Sequence, residues 1–196
     1  MIFGIKTEES AIKKIRKGGH FLDKEFDDFR YKRSFIEKVV QVDDTAMQYL
    51  PDEMRDDKAL GLLSVKKYGW TLGYLSPRLR DNEDVVLAAI GETSAAIQFA
   101  SDRIKGNKAI VLSAIKDNGL NIEYAAEHLK DDPEIVLSAI YYEKSLFDQA
   151  SPRLQKICEN KDPIETREKV IKIEKISHKM ANQSRKKEAT HKTFRI

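Results

Sequence analysis

The chain has 196 residues, of which 41% are hydrophobic and 34% are charged, and its formal net charge at pH 7 is +3. This composition excludes a disordered or fibrous chain, because it supplies enough apolar side chains for a core. No apolar run reaches the roughly 18 residues that a transmembrane helix needs, and residues 1–17 lack the apolar segment of a secretion signal. The single cysteine, Cys158, excludes an internal disulfide, so a cytoplasmic protein is expected.

A 25-residue unit repeats five times between residues 31 and 155, without insertion or deletion. The copies are 31–55, 56–80, 81–105, 106–130 and 131–155, and positions 1 to 25 are counted within a copy. Positions 5, 10, 17 and 24 are apolar in every copy and position 19 is aromatic in four, so these five columns are predicted to form the core. Short units repeated in register bury their apolar faces against each other. The sequence therefore predicts an all-α fold, an α-helical repeat solenoid of five to six 25-residue units.

Residues 1–30 are predicted to form a degenerate N-terminal repeat that caps the stack. In the frame 6–30, Ile15 falls at position 10, Gly19 at position 14 and Leu22 at position 17. Terminal repeats are atypical because one of their faces meets solvent. Polar residues are accordingly expected at some positions that are apolar in the other copies.

Each copy is predicted to begin with a helix of about ten residues, helix A, because positions 5, 6, 7, 9 and 10 mark one apolar face. Short polar residues at position 2 are predicted to cap this helix, and they are Asp57, Asn82, Asn107 and Asp132. Pro133 fits the first helical position. Gly69 and Gly119 at position 14 predict the end of helix A, since glycine readily adopts the left-handed conformation of a helix C-cap.

The second arm of each copy is predicted to be interrupted. Pro51 lies at position 21, and Pro77 and Pro152 lie at position 22, where a proline removes an N–H and disfavours the helical conformation of its predecessor. Ser76 before Pro77 indicates instead the N-cap of a new short helix. We therefore expect helix B over positions 15 to 20, then a kink, then one further turn to position 25.

Residues 156–180 are predicted to form a C-terminal capping helix, because Val170, Ile173, Ile176 and Met180 recur at helical spacing. Residues 175–196 contain seven Lys or Arg against one acid, a net charge of +6, which leaves −3 for residues 1–174 of a chain whose total is +3. Residues 181–196 also hold few large apolar side chains, so they are predicted to be a basic disordered tail.

The sequence contains no catalytic constellation. The four histidines lie far apart and have no Cys or acidic partner at metal-ligand spacing. Gly18 and Gly19 lack the strand, loop and helix context of a phosphate-binding loop. Cys158 has no nearby histidine to activate it as a nucleophile. We therefore expect no enzyme activity and no cofactor.

Positions 11 to 13 vary in chemistry between copies, and they are predicted to form the turn between the two arms. Stacking would line these turns up into one continuous edge. Its candidates for binding a partner are the aromatic residues Tyr68, Trp70, Tyr141 and Tyr142, because exposed aromatic side chains are enriched at interface hot spots. The alternative is that Trp70 packs on the neighbouring turn and that the tyrosines cover their own repeats.

Copies three to five carry related segments, among them Val-Leu-Ala-Ala-Ile at 86–90, Val-Leu-Ser-Ala-Ile at 111–115 and Asp-Asp-Pro-Glu-Ile-Val-Leu at 131–137. With these segments, residues 31–155 resemble a tandem helical repeat family that is catalogued only as a domain of unknown function. The resemblance implies an all-helical array of the kind found in bacterial, viral and protist proteins, and it implies no catalytic or binding residues. The first copy departs from the pattern at Glu37 and Asp44.

Two hypotheses of function remain open. The first is a non-enzymatic protein-binding scaffold, such as a bacterial or phage-encoded modulator or inhibitor that acts by binding a protein partner. The second is nucleic-acid binding assisted by the basic tail, whose cations would neutralise phosphates; they are Arg185, Lys186, Lys187, Lys192 and Arg195. The tail is also explained as a solvated terminus that aids solubility. No membrane partner is expected.

Overall fold

The structure is a computed structural model, and it describes residues 7–19 and 31–142 and the single residues 146 and 156. The α-helices in the two ranges are α1 (Glu8–Ile15), α2 (Arg33–Val39), α3 (Asp52–Arg55), α4 (Lys58–Val65), α5 (Pro77–Arg80), α6 (Glu83–Glu92), α7 (Asp102–Lys105), α8 (Lys108–Ile115), α9 (Glu127–Lys130) and α10 (Pro133–Tyr142). The 3-10 helices are Ala46–Tyr49, Gly69–Tyr74, Ser94–Phe99 and Gly119–Tyr124. The predicted all-α repeat fold is confirmed.

The helices follow the 25-residue register. Helix A of the five copies corresponds to α2, α4, α6, α8 and α10, and each of these helices begins at position 3. In the frame 6–30, α1 also begins at position 3. α4 packs against α6, α6 against α8 and α8 against α10, while the 3-10 helices of successive copies pack against each other in the same way. Apart from residue 156, the predicted capping helix at 156–180 lies outside the described residues, as do the tail at 181–196 and most of the second arm of the last copy.

The predicted caps of helix A are confirmed. The Asp57 carboxylate accepts a hydrogen bond of 2.9 Å from the Leu60 amide, and the Asn82 side chain accepts one of 3.3 Å from the Val85 amide. Pro133 occupies the first turn of α10. In the second to fifth copies, position 2 therefore sets where helix A starts, because an Asp or Asn side chain satisfies amide groups that have no partner within the helix. In the first copy Lys32 occupies this position and forms no side-chain cap.

The second arm differs from the expected helix B. In the second to fourth copies it is a 3-10 helix over positions 14 to 19, and in the first copy one over positions 16 to 19; in each of these four copies a one-turn α-helix follows over positions 22 to 25. A 3-10 helix has three residues per turn, so positions 14 and 17 fall on one face, and Gly69 with Leu72 and Ser94 with Ile97 are buried there. The predicted restart at the proline is confirmed, since the Ser76 hydroxyl accepts a hydrogen bond of 3.2 Å from the Leu79 amide.

The prediction that Gly69 and Gly119 end helix A in the left-handed conformation is wrong. Within the described residues, the only glycine with positive φ is Gly18, at 102°. Gly69 is required for a different reason, because a Cβ atom there would lie 2.4 Å from the backbone oxygen of Ala89 in the next copy. Position 14 is therefore a point of close approach between neighbouring backbones.

The core is formed by the predicted apolar columns. Positions 5 and 10 are at most 5% exposed in every copy, and they are occupied by Phe35, Leu60, Val85, Ile110 and Ile135 and by Val40, Val65, Ile90, Ile115 and Ile140. The aromatic column at position 19 lies nearer the surface than predicted, since Tyr49 is 41% exposed and Phe99 is only partly buried. The Phe99 ring covers the previous copy at Gly73, where a Cβ atom would lie 2.9 Å from its Cδ1.

In both the second and the third copy, hydrogen bonds connect the first residue of the copy to its last helical turn. We call this arrangement, which the sequence did not reveal, the carboxylate clasp. In the second copy Asp56 accepts hydrogen bonds from the Ser76 hydroxyl and from Arg78 Nε, and Arg78 Nη2 donates to the Asp56 backbone oxygen at 2.6 Å. In the third copy Asp81, Ser101 and Arg103 form the same bonds. The fourth copy replaces all three clasp residues together, with Gly106, Ala126 and His128.

Ion pairs also connect the start of helix A in one copy to the start of helix A in the following copy. Arg33 Nη1 lies 2.5 Å from Asp57 Oδ2, and Lys58 Nζ lies 2.6 Å from Asp84 Oδ2. Lys108 Nζ lies 2.9 Å from Asp132 Oδ1. The hydrogen bond from Arg33 lowers the pKa of Asp57, and the same bond raises the pKa of Arg33. In the first, second and fourth copies, position 3 thus holds a cation that contacts an acid at position 2 or 4 of the following copy.

Within residues 7–19 and 31–142, no helix combines the length and the apolar character needed to cross a lipid bilayer.

The close approach at position 14 predicts the effect of adding a methyl group there. We expect Gly69→Ala to lower the free energy of unfolding by about 1 to 3 kcal/mol, because its Cβ meets backbone atoms that have little room to move. The matched control is Gly91→Ala, since a Cβ at this exposed helical position meets nothing within 4 Å. Urea unfolding measures both variants. Equal stability of the two variants would contradict the close approach between copies.

The carboxylate clasp predicts a pH dependence of stability. The bonds from the Ser76 and Ser101 hydroxyls, and then those from the arginines, lower the pKa of Asp56 and Asp81. A carboxylate whose pKa is lower in the folded state stabilises the fold above its unfolded pKa, about 3.9, and this contribution is lost as pH falls towards the folded pKa. We therefore expect the double variant D56N/D81N to be less stable than the wild type at neutral pH.

The difference in free energy of unfolding between wild type and D56N/D81N should shrink as pH falls below about 4, because the wild-type carboxylates then gain protons. Urea unfolding across this pH range measures the difference. Asp102→Asn serves as a control, because Asp102 is an exposed acid in the first turn of α7 and lies outside the clasp. A difference that stays constant with pH would show that the clasp does not act through its charge.

Candidate functional site

The turns that follow helix A line up along one edge of the stack, here called the turn edge and defined as positions 11 to 13 of successive copies together with residues 16–18. The residue at position 11 or its equivalent is exposed in all six described turns, and these residues are Arg16, Gln41, Lys66, Gly91, Lys116 and Tyr141. Position 10, one residue earlier, is buried in each copy. The turn edge therefore begins where each helix A leaves the core.

Contacts at position 14 fix neighbouring turns relative to each other. Gly69 lies against the backbone of Ala89 and the side chain of Thr93 in the next copy. In the following pair, the buried Ser94 donates a hydrogen bond of 2.5 Å from its hydroxyl to Asp117 Oδ2. Because these contacts join one turn directly to the next, the turn edge is held by the same packing that forms the stack.

Tyr68 and Trp70 are half-buried, so the structure does not present them as fully exposed aromatic residues. Trp70 lies at the start of a 3-10 helix and packs edge to face on Tyr74 of its own copy, with 5.6 Å between ring centroids. Lys67 Nζ lies 5.9 Å from the centroid of the Tyr68 ring. Trp70 thus contributes to the packing of the second copy, and Tyr68 lies beneath a cation of the turn edge.

Tyr141 and Tyr142 form an exposed aromatic pair at the end of α10. They are 39% and 43% exposed, and their rings meet edge to face with 4.8 Å between centroids. The same two positions hold Gly91 and Glu92 in the third copy, where no ring is present. The fifth copy therefore presents two aromatic rings at positions where the third copy presents a small residue and a charged one.

The four predicted aromatic residues do not form a single cluster. Tyr68 and Trp70 belong to the second copy, whereas Tyr141 and Tyr142 belong to the fifth, so two complete copies lie between the two pairs. The tail cations Arg185, Lys186, Lys187, Lys192 and Arg195 lie outside the described residues, and their role stays a prediction.

The turn edge contains a feature that sequence reasoning missed, a cleft between α1, α2 and the turn after α4. Four cations lie along it, and they are Lys13, Arg16, Lys38 and Lys67. A signal for this cleft exists in the sequence, because position 8 is Lys in the frame 6–30 and again in the first copy. In the later copies the same position holds Leu63, Ala88, Ser113 and Ser138.

The chemistry of the turn edge changes along the stack. Cations predominate near α1 and α2, whereas a groove of about 340 Å³ between the third and fourth copies is lined by Gly91, Glu92, Ser113, Lys116 and Asp117. The aromatic pair follows in the fifth copy. Within the described ranges, no three His, Cys, Asp or Glu side chains come together in an arrangement that could hold a metal ion. The turn edge offers shape, charge and aromatic surface to a ligand.

Comparison with known families gives an independent view of the repeat. A family model described as "Domain of unknown function (DUF4116)" matches residues 32–80, 62–105 and 107–155. These matches end at residues 80, 105 and 155, which are also the last residues of the second, third and fifth copies. The first and third matches each span almost two copies, so one family unit corresponds to a pair of 25-residue units.

No curated protein and no solved structure matches the chain. The family matches together cover residues 32–105 and 107–155, which is well over half of the chain. The chain therefore belongs to the family described as Domain of unknown function (DUF4116).

Proposed function

We propose that this protein is a non-enzymatic scaffold that binds a partner protein through its turn edge. The observation that supports this proposal most strongly is the contrast between positions 10 and 11. Position 10 is a buried Val or Ile in every copy, whereas position 11 is exposed and is Gln, Lys, Gly, Lys or Tyr in the five copies. A constant core behind a variable exposed edge is the arrangement that repeat scaffolds use for recognition.

The packing of the turns supports binding without a large rearrangement. Gly69 lies against the next copy, and Ser94 is hydrogen-bonded to Asp117 of the next copy. Turns fixed in this way lose little conformational freedom when a partner docks, so less of the interaction free energy is spent on ordering them. The turn edge is suited to a protein surface or to an extended segment of a partner.

Tyr141 and Tyr142 are the proposed anchor of this interaction. Tyrosine is enriched at binding hot spots because it combines a large rigid ring with a polar hydroxyl. Both rings are substantially exposed, and each supports the other through their edge-to-face contact. Tyr68 and Trp70 have smaller exposed surfaces, so we assign them a secondary role beside the cation Lys67.

A scaffold of this kind suits a modulator or inhibitor that acts by covering the surface of its target. The cytoplasm is the compartment that we propose, since the single Cys158 fits reducing conditions.

Nucleic-acid binding through the basic tail is the alternative function. It predicts an affinity that falls steeply with salt, with a log-log slope of about −0.9 for each phosphate neutralised on duplex DNA.

The proposed anchor predicts the outcome of a capture experiment. The biotinylated full-length chain is used to capture proteins from an extract of the cells that encode it, and the bound proteins are quantified by mass spectrometry. We expect Y141A/Y142A to reduce the capture of at least one protein by about tenfold or more, because the loss of hot-spot aromatics costs about 2 kcal/mol or more.

The control for this experiment is Y31A/Y49A, which removes two tyrosines that are 65% and 41% exposed but lie outside the turn edge. The captured protein should remain bound to this control. Equal capture by both double variants would argue against the turn edge. Binding of DNA instead, lost when residues 181–196 are deleted, would favour the alternative function.

A further inference from the structure

A cleft of about 800 Å³ lies at the N-terminal end of the turn edge, between α1, α2 and the turn that follows α4. Its lining contains the four cations Lys13, Arg16, Lys38 and Lys67 and a single acid, Glu9. Lys13 and Arg16 come from α1 and the turn after it, Lys38 from α2 and Lys67 from the turn after α4, so the packing of these elements brings the cations together. The cleft is a local concentration of positive charge.

The cations of the cleft are available to a ligand. Lys13 and Arg16 are exposed and form no ion pair with the described residues. Lys38 is 49% exposed, and its Nζ lies 3.3 Å from Glu8 Oε2, which leaves much of the ammonium group open to solvent. Lys67 is exposed and contacts the face of the Tyr68 ring, at 5.9 Å from its centroid. Within the described residues, Lys13, Arg16 and Lys67 therefore have no carboxylate within the 4 Å of an ion pair, and Glu9 is the one acid that lines the cleft with them.

The lining of the cleft also includes an apolar component. Ile12 is 8% exposed and belongs to the core, and Val42 is partly buried and packs against the core. Both residues line the cleft between the cations. A ligand that fits this site therefore combines negative charges with at least one apolar group.

The size of the cleft suits a short peptide segment. It spans three neighbouring helix ends, and at about 8 to 10 Å between packed helices this distance is about 16 to 20 Å. An extended peptide advances about 3.3 Å per residue, so about five or six residues cover this distance. Acidic side chains along such a segment would meet cations from both walls.

The charge of the surrounding surface favours a short acidic segment over a nucleic acid. Residues 31–142 contain 14 Lys and Arg against 18 Asp and Glu, a net charge of −4. A long polyanion would be repelled by the acidic surface beyond the cleft, because its charge extends over many phosphates. A short acidic segment gains the local attraction without this repulsion.

We propose that the cleft binds an acidic segment of the partner protein, with Asp or Glu side chains on Lys13, Arg16, Lys38 and Lys67 and an apolar side chain against Ile12 and Val42. This inference rests on the proposed function, because the bound segment belongs to the protein that the turn edge recognises. It assigns the two ends of the turn edge to different chemistry, with an acidic segment at the cleft and hot-spot contacts at Tyr141 and Tyr142.

The probe for the test is a fluorescently labelled synthetic peptide, Glu-Glu-Glu-Leu-Glu-Glu-Glu, titrated with the full-length chain at low salt and followed by fluorescence anisotropy. We expect K13Q/R16Q to weaken binding of this peptide by about tenfold, because the variant removes two exposed charge pairs between the chain and the peptide. The charge-reversed double variant K13E/R16E should weaken it further. K13Q/R16Q places no new charge in α1, so it remains informative if the reversed variant is unstable.

The matched control is R185Q/K186Q, which removes the same two charges from the predicted basic tail. It should change the affinity for the peptide by less than about twofold, since the proposed site does not include Arg185 or Lys186. A peptide of the same length with glutamine in place of glutamate should bind more weakly than the acidic peptide. Circular dichroism and urea unfolding show whether each variant keeps the wild-type fold.

Three results would overturn the proposal. The first is equal affinity for the acidic and the glutamine peptides. The second is loss of peptide binding in R185Q/K186Q but not in K13Q/R16Q. The third is a short single-stranded DNA that binds more tightly than the acidic peptide and whose binding depends on Lys13 and Arg16. The capture experiment with Y141A/Y142A is independent of this probe. If that capture succeeds while the acidic peptide fails, the cleft has another role and the proposed function stands.

Discussion

Burial of apolar columns between neighbouring copies is the interaction on which this structure depends. Positions 5 and 10 are almost fully buried in all five copies, although each copy alone is only 25 residues long. A segment of that length cannot bury enough apolar surface to fold by itself, so its core is completed by the copies on either side. The 3-10 helix Ser94–Phe99 illustrates this, because it packs against the 3-10 helices of both neighbours as well as α6 and α8.

The polar contacts of the repeat determine the register within which the core packs. The carboxylate clasp of Asp56, Ser76 and Arg78 closes one copy, while ion pairs such as that between Lys58 and Asp84 connect one copy to the next. These groups are largely exposed, and exposed ion pairs contribute little stability individually. Their value is geometric, because they hold the helix termini at a constant offset and so align the turn edge that the proposed function uses.

The sequence predicted those features that depend on spacing within one copy. The 25-residue period, the cap at Asp57 and the restart of the helix at Pro77 follow from local preferences of the chain. The sequence did not predict why glycine is needed at position 69, nor the hydrogen bonds between Asp56 and Arg78. Both depend on the approach of segments that are 20 or more residues apart in the chain. The sequence did not predict the basic cleft for the same reason, since its cations come together only where α1, α2 and the turn after α4 meet in the fold.

Native-state hydrogen exchange of an Ile97→Ala variant tests most directly whether the copies share one core. Ile97 is fully buried in the third copy, and its truncation costs about 2 to 5 kcal/mol. A shared core predicts faster exchange of core amides in the second and fourth copies as well as the third. Faster exchange confined to residues 81–105 would contradict the account, because it would show that each copy holds its own structure.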